Sequence, residues 1–350
     1  MDTALTIALD AMGGDRAPGI VVEGASLVRQ RSPNVRFILF GDEKQLRPLV
    51  AKDPQLLEHT EIRHTSEVVT NDMKPSMALR NARQSSMRLA INAVQEGEAA
   101  GIVSAGNTGA LMAMAKFVLK TLTGIDRPAI ATFLPSMRGD VVMLDLGANL
   151  ECNASHLVQF AVMGNIFAKT VLGLPEPVVG LLNVGEEELK GHEDLREAAS
   201  ILREGGLPIK FCGFIEGNDI LEGAVDVAVT DGFTGNVALK ATEGVSKFYT
   251  QVLAEAFRSS LLSRLSYLLA RPTLRKVRQR VDPRRYNGAM MLGLNGVVVK
   301  SHGGTDALGF ANAIGVAIDM VTFGFNDKII RDFGSLDAGN MSRPKAAAPA

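Results

Sequence analysis

Two glycine loops with similar sequences carry the clearest chemical signal in this chain. One reads Ser-Ala-Gly-Asn-Thr-Gly over residues 104–109, and the other reads Thr-Asp-Gly-Phe-Thr-Gly over residues 230–235. Each follows a short apolar run and begins a helical pattern. Glycine allows close approach to the backbone, hydroxyls donate hydrogen bonds, and a helix N-terminus offers free N–H groups. The duplication predicts a site for phosphate or another oxyanion, although an ordinary turn with a hydroxyl N-cap explains either loop alone.

The candidate anion-binding residues are hydroxyl, amide, glycine and lysine residues. They lie in the two loops, on the helix that follows the second loop, and in the glycine turn after the first predicted strand. They are Ser104, Gly106, Asn107, Thr108, Gly109, Thr234, Gly235, Lys240, Gly13 and Gly14.

Four residues are the candidate catalytic groups. Lys190 follows three glutamates in the 183–191 loop and is suited to stabilise an oxyanion, or to act as a nucleophile if its pKa is depressed. An exposed lysine in an acidic loop is the alternative. Asn236 opens the helix after the second loop, and Asp231 either caps that helix or orients a lysine. His302 follows Lys300 at the end of the last strand, and fits either a general base or a packed, hydrogen-bonded residue.

Composition excludes several classes of protein. The 350 residues are 46% hydrophobic and 21% charged with a net charge of −1, which is typical of a globular protein and gives no basis for nucleic-acid binding. The sequence has neither a G-x-G-x-x-G fingerprint nor a P-loop motif, and its histidines lack metal-ligand spacing, which disfavours a dinucleotide-binding fold, a P-loop kinase and a zinc site. Two isolated cysteines and a strand-like start predict a cytoplasmic protein without a signal peptide.

Strand-like and helical patterns alternate along nearly the whole chain. This alternation predicts an α/β fold with three layers, in which a mostly parallel sheet is covered on both faces and the strands at 129–133 and 141–146 pair antiparallel. Polar loops follow most strands, and we expect them to converge at one end of the sheet. The predicted strands are 5–9, 35–40, 101–103, 129–133, 141–146, 178–182, 209–214, 225–229 and 296–299, and the main helices are 78–96, 157–171, 194–204 and 306–321.

One catalytic domain is predicted over residues 1–335, with a helical arm at 245–287 and a disordered tail at 336–350. The arm combines leucines at helical spacing with a dense basic face, and Pro272 predicts a break within it. Such an arm fits an anionic membrane surface, a dimer interface or an acidic protein partner. The residues assigned to it are Leu261, Leu265, Leu268, Arg264, Arg271, Arg275, Lys276 and Arg278.

Several segments, in order along the chain, resemble the PlsX family of phosphate acyltransferases. The resemblance extends to about residue 321 and implies a fold like that of isopropylmalate dehydrogenase, a homodimer, and no requirement for metal or nucleotide. The segments include Asp-Ala-Met-Gly-Gly-Asp at 10–15, both glycine loops, Leu-Asp-Leu-Gly-Ala-Asn at 144–149, Leu-Leu-Asn-Val-Gly-Glu at 181–186 and Lys-Ser-His-Gly at 300–303.

The resemblance implies reversible transfer of a fatty acyl group from acyl carrier protein to inorganic phosphate. The acyl phosphate would feed a membrane glycerol-3-phosphate acyltransferase, which implies peripheral association with the membrane. We expect phosphate against the N–H groups of residues 104–109 and 234–236, while Lys190 stabilises the tetrahedral oxyanion or accepts the acyl group covalently, and His302 or water protonates the thiolate. The competing hypotheses are a phosphotransacylase that uses acyl-CoA, a decarboxylating dehydrogenase, and a membrane scaffold without catalysis.

Overall fold

A computed structural model describes residues 5–280, 282 and 284–337, with the backbone alone for residues 278, 279 and 332–337. Its strands are β1 (Thr6–Asp10), β2 (Arg36–Gly41), β3 (Thr60–His64), β4 (Gly101–Ser104), β5 (Ala129–Pro135), β6 (Asp140–Leu144), β7 (Val178–Leu182), β8 (Lys210–Ile215), β9 (Val227–Val229), β10 (Ala289–Leu292) and β11 (Val297–Lys300).

The helices alternate with these strands, as the sequence predicts. They are α1 (Gly19–Arg31), α2 (Glu43–Val50), α3 (Pro54–Glu58), α4 (Pro75–Asn81), α5 (Ser86–Gln95), α6 (Thr108–Leu119), α7 (Ala154–Val171), α8 (Glu193–Glu204), α9 (Gly217–Glu222), α10 (Gly232–Arg258), α11 (Leu261–Arg280), α12 (Ala307–Thr322) and α13 (Phe325–Asp337).

The strands form one mixed sheet in the order β3-β2-β1-β4-β11-β10-β5-β6-β9-β7-β8. Strands β3, β2, β1, β4 and β11 are mutually parallel, and so are β6, β9, β7 and β8. Between these two sets, the three antiparallel pairs β11–β10, β10–β5 and β5–β6 reverse the strand direction. The expected α/β class and the antiparallel pair are therefore confirmed.

The reversal corrects one prediction, because the polar loops do not all leave the same end of the sheet. The carboxyl ends of β1, β2, β4 and β11 lie at what we call the first end. The carboxyl ends of β6, β9 and β7 lie at the opposite, second end. The sequence pattern cannot reveal the direction of a strand, so it could not separate the two groups of loops.

A hydrophobic core fills each face of the sheet, which makes three layers. On one face the core includes Phe160 and Phe167 of α7 and Phe310 of α12. The other core includes Met87 of α5 and Leu111 of α6, and the start of α10 packs against it. The first glycine loop, α4–α6 and the start of α10 are thereby brought to the same face.

The predicted strands are all present, and two others were missed. Strand β3 contains charged residues and lies at the edge of the sheet, while β10 reads Ala-Met-Met-Leu and lacks the β-branched residues that favour strands. The helix predicted at 78–96 is divided into α4 and α5, because Ser85 caps α5 by accepting a hydrogen bond from the N–H of Arg88.

The arm is built from α10 and α11, and its break differs from the prediction. Helix α11 continues through Pro272, and the interruption falls at Ser259 and Ser260 instead. Its leucines are exposed, with 82% for Leu261 and 61% for Leu268. The side chain of Arg278 and residues 338–350 of the predicted tail lie outside the described residues.

Within the described residues, no single helix is both long and apolar enough to cross a bilayer. The pair formed by Ala307–Thr322 and Phe325–Arg331, bent by 45°, meets that length and composition only when its two helices are taken together.

Candidate active site

A buried carboxylate organises the first end of the sheet. Asp10, at the end of β1, accepts hydrogen bonds of 2.6 Å from the hydroxyls of Ser86 and Ser104. Burial raises the pKa of Asp10, while these two hydroxyls act to lower it. The N–H of Gly106 donates to the Ser104 hydroxyl over 3.1 Å. Ser104 and Gly106 therefore fix the shape of the loop instead of facing a ligand.

The glycines of the first turn are required by close packing. A Cβ on Gly13 would lie 2.5 Å from a carboxylate oxygen of Asp10 and 2.8 Å from the nitrogen of Gly106. Gly14 has a φ of 107° and faces Ala105. Gly13 and Gly14 thus allow the β1 turn to lie directly on the first glycine loop.

Asn107 caps α6 and anchors the loop to the chain before α4. Its Oδ1 accepts a hydrogen bond of 3.0 Å from the N–H of Ala110, and its Nδ2 donates to the carbonyls of Thr70, Asn71 and Met73. Thr108 and Gly109 follow in the first turn of α6 and are exposed. An uncharged cap and two accessible residues leave this helix N-terminus open to an anion.

Lys300 lies behind this loop, at the end of β11. Its ammonium donates to the carbonyl of Ser301 and lies 3.5 Å from the carbonyl oxygen of Ala105. Burial lowers the pKa of Lys300 to about 8, against the opposing charges of Asp10 and Asp15, and the positive charge of Lys240 lowers it further. The first end therefore holds a buried amine that still carries its proton at neutral pH.

His302 lies two residues further along the same loop. Its Nδ1 accepts a hydrogen bond of 3.1 Å from the N–H of Gly304, which leaves the Nε2 edge for another partner. Partial burial lowers the pKa of His302, as do the charges of Lys240 and Lys300. The neutral imidazole is therefore favoured at neutral pH.

The second end of the sheet is organised by another buried carboxylate. Asp145, which follows β6, accepts hydrogen bonds from the N–H groups of Ile130, Ala148 and Asn149 and from the Asn149 side chain, over 2.7 to 3.1 Å. Burial raises the pKa of Asp145, while these four donors act to lower it. This network makes the 145–149 turn a fixed platform.

The second glycine loop packs onto that platform. The N–H of Gly232 donates to the carbonyl of Asn149 over 2.7 Å, and a Cβ on Gly232 would lie 2.6 Å from that same oxygen. A Cβ on Gly235 would overlap the carbonyl oxygen of Asp145. The glycines of this loop therefore serve backbone packing.

Asp231 is the N-cap of α10. Its carboxylate accepts from the N–H of Thr234 over 2.9 Å and from the Thr234 hydroxyl over 2.7 Å, and its carbonyl accepts from the N–H of Gly235. These donors are already engaged within the helix. Asn236 is exposed and lies beside Gly147 of the platform.

Lys190 belongs to the loop after β7, whose carboxyl end lies beside that of β9. Its N–H donates to the carbonyl of Glu187 over 3.0 Å, and its own carbonyl accepts from the Asn183 side chain over 3.2 Å. Its side chain is exposed, and within the described residues its ammonium forms no ion pair. Lys190 is thus an accessible cation at the second end of the sheet.

Helix α10 connects the two ends of the sheet. It begins at the second end, and two turns later Lys240 lies close enough to Lys300 and His302 to affect the pKa of both. Lys240 also pairs with Glu243 over 2.9 Å. The first end therefore gathers an open helix N-terminus, the lysines of α10 and β11 and one imidazole, a set that suits binding an anion. Lys190 and Asn236 lie at the second end, where an ammonium and an exposed amide suit stabilising an oxyanion.

Sequence reasoning did not select Lys300, Asp145 or Asn149 as site residues. The buried carboxylates of Asp10 and Asp145 did have a signal in the sequence, because each is an aspartate at the carboxyl end of an apolar strand. Lys300 had a signal in the Lys-Ser-His-Gly segment at 300–303, but its low pKa had none, because that depends on burial by loops that are distant in sequence. Among the described residues, no group of three His, Cys, Asp or Glu side chains is arranged to hold a metal ion.

Relatives of this chain have a common name. The family model described as Fatty acid synthesis protein matches residues 5–328. A Phosphate acyltransferase from Rhodospirillum centenum is 63% identical over 97% of this chain and 95% of the relative. Another, from Paramagnetospirillum magneticum, is 57% identical over 99% of both chains.

Solved structures share the fold at low identity. A phosphotransacetylase from Streptococcus pyogenes has a TM-score of 0.63 and 17% identity, covering 92% of this chain and 95% of its own. EutD phosphotransacetylase from Staphylococcus aureus has a TM-score of 0.58 and 16% identity, covering 92% and 94%. With the family model matched over most of its length and close relatives matched almost end to end, this chain belongs to the PlsX family of phosphate acyltransferases and is an acyltransferase.

Proposed function

We propose that this enzyme transfers a fatty acyl group reversibly from acyl carrier protein to inorganic phosphate. The product is an acyl phosphate for phospholipid synthesis. The observation that carries the proposal is the open N-terminus of α6 on a loop whose Ala105 carbonyl oxygen lies 3.5 Å from the Lys300 ammonium, because a free helix N-terminus with a cation nearby suits a small anion. The names of the relatives and of the family support phosphate and a fatty acyl group as the reactants.

In the proposed mechanism, phosphate binds against Thr108 and Gly109, with Lys300 behind the loop. A phosphate oxygen attacks the thioester carbonyl, the new C–O bond forms, and the C–S bond breaks. Lys190 and Asn236 stabilise the tetrahedral oxyanion, a contribution of roughly 3–4 kcal/mol for a well-placed donor. The departing thiolate takes a proton from water, or from His302 in its protonated imidazolium form, and no metal or nucleotide takes part.

This proposal moves phosphate away from the second glycine loop. The N–H groups of Thr234 and Gly235 are engaged by Asp231, and the carboxylate of Asp231 repels an anion at that helix N-terminus. The second loop then provides no donors to phosphate. Instead, Asn236 and Lys240, on the helix that this loop begins, interact with the acyl group.

The enzyme is proposed to act in the cytoplasm as a homodimer that associates peripherally with the membrane. Residues 1–335 form the catalytic domain, and the arm at 245–287 makes the membrane contact through Leu261, Leu265 and Leu268 and the neighbouring arginines. The exposure of these leucines supports this assignment. The acyl phosphate then passes to a membrane glycerol-3-phosphate acyltransferase.

The test is to incubate the purified enzyme with palmitoyl-[acyl carrier protein] and phosphate and to trap the product with hydroxylamine. Phosphate-dependent hydroxamate together with free carrier protein is the expected result. Product from acyl-CoA but not from the carrier thioester would assign a phosphotransacylase that uses acyl-CoA. No product from either donor would leave a non-catalytic scaffold as the better hypothesis.

A further inference from the structure

Helices α4 and α5 both pack against α6, and every charged residue on these three helices is a cation. From residue 73 to residue 95, and again from residue 99 to residue 125, the sequence contains no aspartate or glutamate. Six lysines and arginines fall in these two stretches. We call them the basic face; they are Lys74, Arg80, Arg83, Arg88, Lys116 and Lys120.

These cations are not used to form ion pairs. Five of the six are exposed, and among the described residues none of the six is paired with a carboxylate. Partial burial lowers the pKa of Arg88, and the nearby positive charge of Arg83 lowers it further. Because no carboxylate in the part of the chain that the structure describes neutralises them, the charges of the basic face repel one another in the free enzyme.

Helix dipoles do not explain the placement either. Lys116 lies in the last turn of α6 and Arg80 in the last turn of α4, where a positive charge is favourable. Lys74, however, is the N-cap of α4, and Arg88 lies in the first turn of α5. A cation is unfavourable at both positions, so their charges point to a role in binding.

An exposed aromatic ring lies among these charges. Phe117 of α6 is 53% exposed, with the guanidinium of Arg88 5.5 Å and the ammonium of Lys120 4.8 Å from its ring centre. Both cations are within cation–π distance. The ring thus holds two cations in place at the surface and adds an apolar contact to a charged surface.

The basic face borders the candidate active site. Pro75, at the start of α4, lies against Gly109. The Asn107 side chain donates to three carbonyls of the segment 70–73, just before α4. Lys74 is therefore next to the open N-terminus of α6. A partner bound on the basic face would hold a covalently attached group close to the site.

We infer that the basic face is the docking surface for the acidic carrier protein that delivers the acyl thioester. This inference rests on the proposed function. Charge complementarity selects an acidic protein, and the position beside the α6 N-terminus selects one that carries the reacting group. A second copy of this chain is disfavoured, because two identical cationic faces repel each other. The arginine-rich arm is then available for an anionic membrane surface or a dimer interface.

The test reverses two exposed charges and measures selectivity between donors. In the double variant Lys74→Glu/Arg83→Glu, the ratio of kcat/KM for the palmitoyl carrier protein to kcat/KM for palmitoyl-pantetheine should fall at least about tenfold. The control Arg36→Glu/Lys52→Glu makes the same change in charge at exposed cations outside the basic face, and should keep the wild-type ratio. Thermal unfolding checks that each variant is folded.

Raised salt provides a second readout. Wild-type kcat/KM for the carrier thioester should fall as NaCl increases, and the double variant should lose most of this dependence. An unchanged donor ratio in the folded double variant would overturn the inference. So would a loss of binding to anionic phosphatidylglycerol vesicles with no change in donor ratio, which would assign the face to lipid. A wild type inactive with both thioesters would refute the proposed function instead.

Discussion

The two glycine loops have similar sequences but different surroundings. The first is capped by the neutral Asn107, its Thr108 and Gly109 are exposed, and its Ala105 carbonyl oxygen lies 3.5 Å from the Lys300 ammonium. The second is capped by the carboxylate of Asp231, and its glycines are packed onto the 145–149 turn. A helix N-terminus that already holds a carboxylate has little attraction left for phosphate. The first loop is therefore suited to bind an anion, whereas the second anchors α10 to the 145–149 turn.

The largest effect is expected at the second end, from Lys190→Ala. If this ammonium stabilises the oxyanion, kcat should fall about 10²–10³-fold. Its side chain is exposed, so the melting temperature should stay near the wild-type value. Steady-state kinetics of hydroxamate formation provide the measurement. Near-normal turnover would remove Lys190 from the mechanism and move the chemistry to the first end.

The anchoring role of the second loop predicts a large loss of stability in Gly235→Ala. Its Cβ would overlap the backbone of Asp145, so the free energy of unfolding should fall by about 2–3 kcal/mol. Gly244, in the same helix, has open space around it, and Gly244→Ala should instead stabilise the protein by about 0.5–1 kcal/mol. Urea unfolding of both variants makes the comparison. Equal effects would mean that the second loop is not rigidly packed.

Lys300 should give the first end a distinctive pH dependence of stability. Its pKa in the folded protein is lowered to about 8, so between pH 8 and its ordinary value of 10.5 the unfolded chain holds a proton that the folded chain has lost. Stability from this group should therefore rise with pH across that window, by about 1.4 kcal/mol for each pKa unit. Urea unfolding at pH 7.5 and pH 10 measures it.

The matched variant is Lys300→Met, which should flatten that rise because it has no titrating amine. It should also raise the KM for phosphate if the ammonium holds the anion. A wild type and a variant with the same slope would show that Lys300 titrates normally.

A smaller effect is expected from exchanging the two caps. Asn107→Asp places a carboxylate at the open N-terminus of α6, and should raise the KM for phosphate about tenfold. Asp231→Asn keeps a capping side chain on α10, and should change that KM by less than about twofold. Initial rates at varied phosphate concentration test both. The opposite ranking would assign phosphate to the second loop.

Local patterns predicted the secondary structure well and the grouping of residues poorly. The strand at 141–146 was found because an apolar run is visible in any register. The split between α4 and α5 was missed, since it depends on Ser85 as a cap and on Ser86 donating to Asp10, a residue 76 positions away. The position of Lys300 near the first glycine loop was likewise invisible, because it depends on the parallel pairing of β11 with β4.

The sequence by itself determined the α/β class, the family and the two glycine loops, because periodicity and motifs are local properties of the chain. Tertiary structure decided which loops share an end of the sheet, since the antiparallel strands β10 and β5 reverse the direction of everything beyond them. It also decided that the helix N-terminus at the first glycine loop is accessible to an anion, while the one at the second loop is occupied by the Asp231 carboxylate. Burial, pKa and charge environment all depend on neighbours that are distant along the chain, and only folding brings them together.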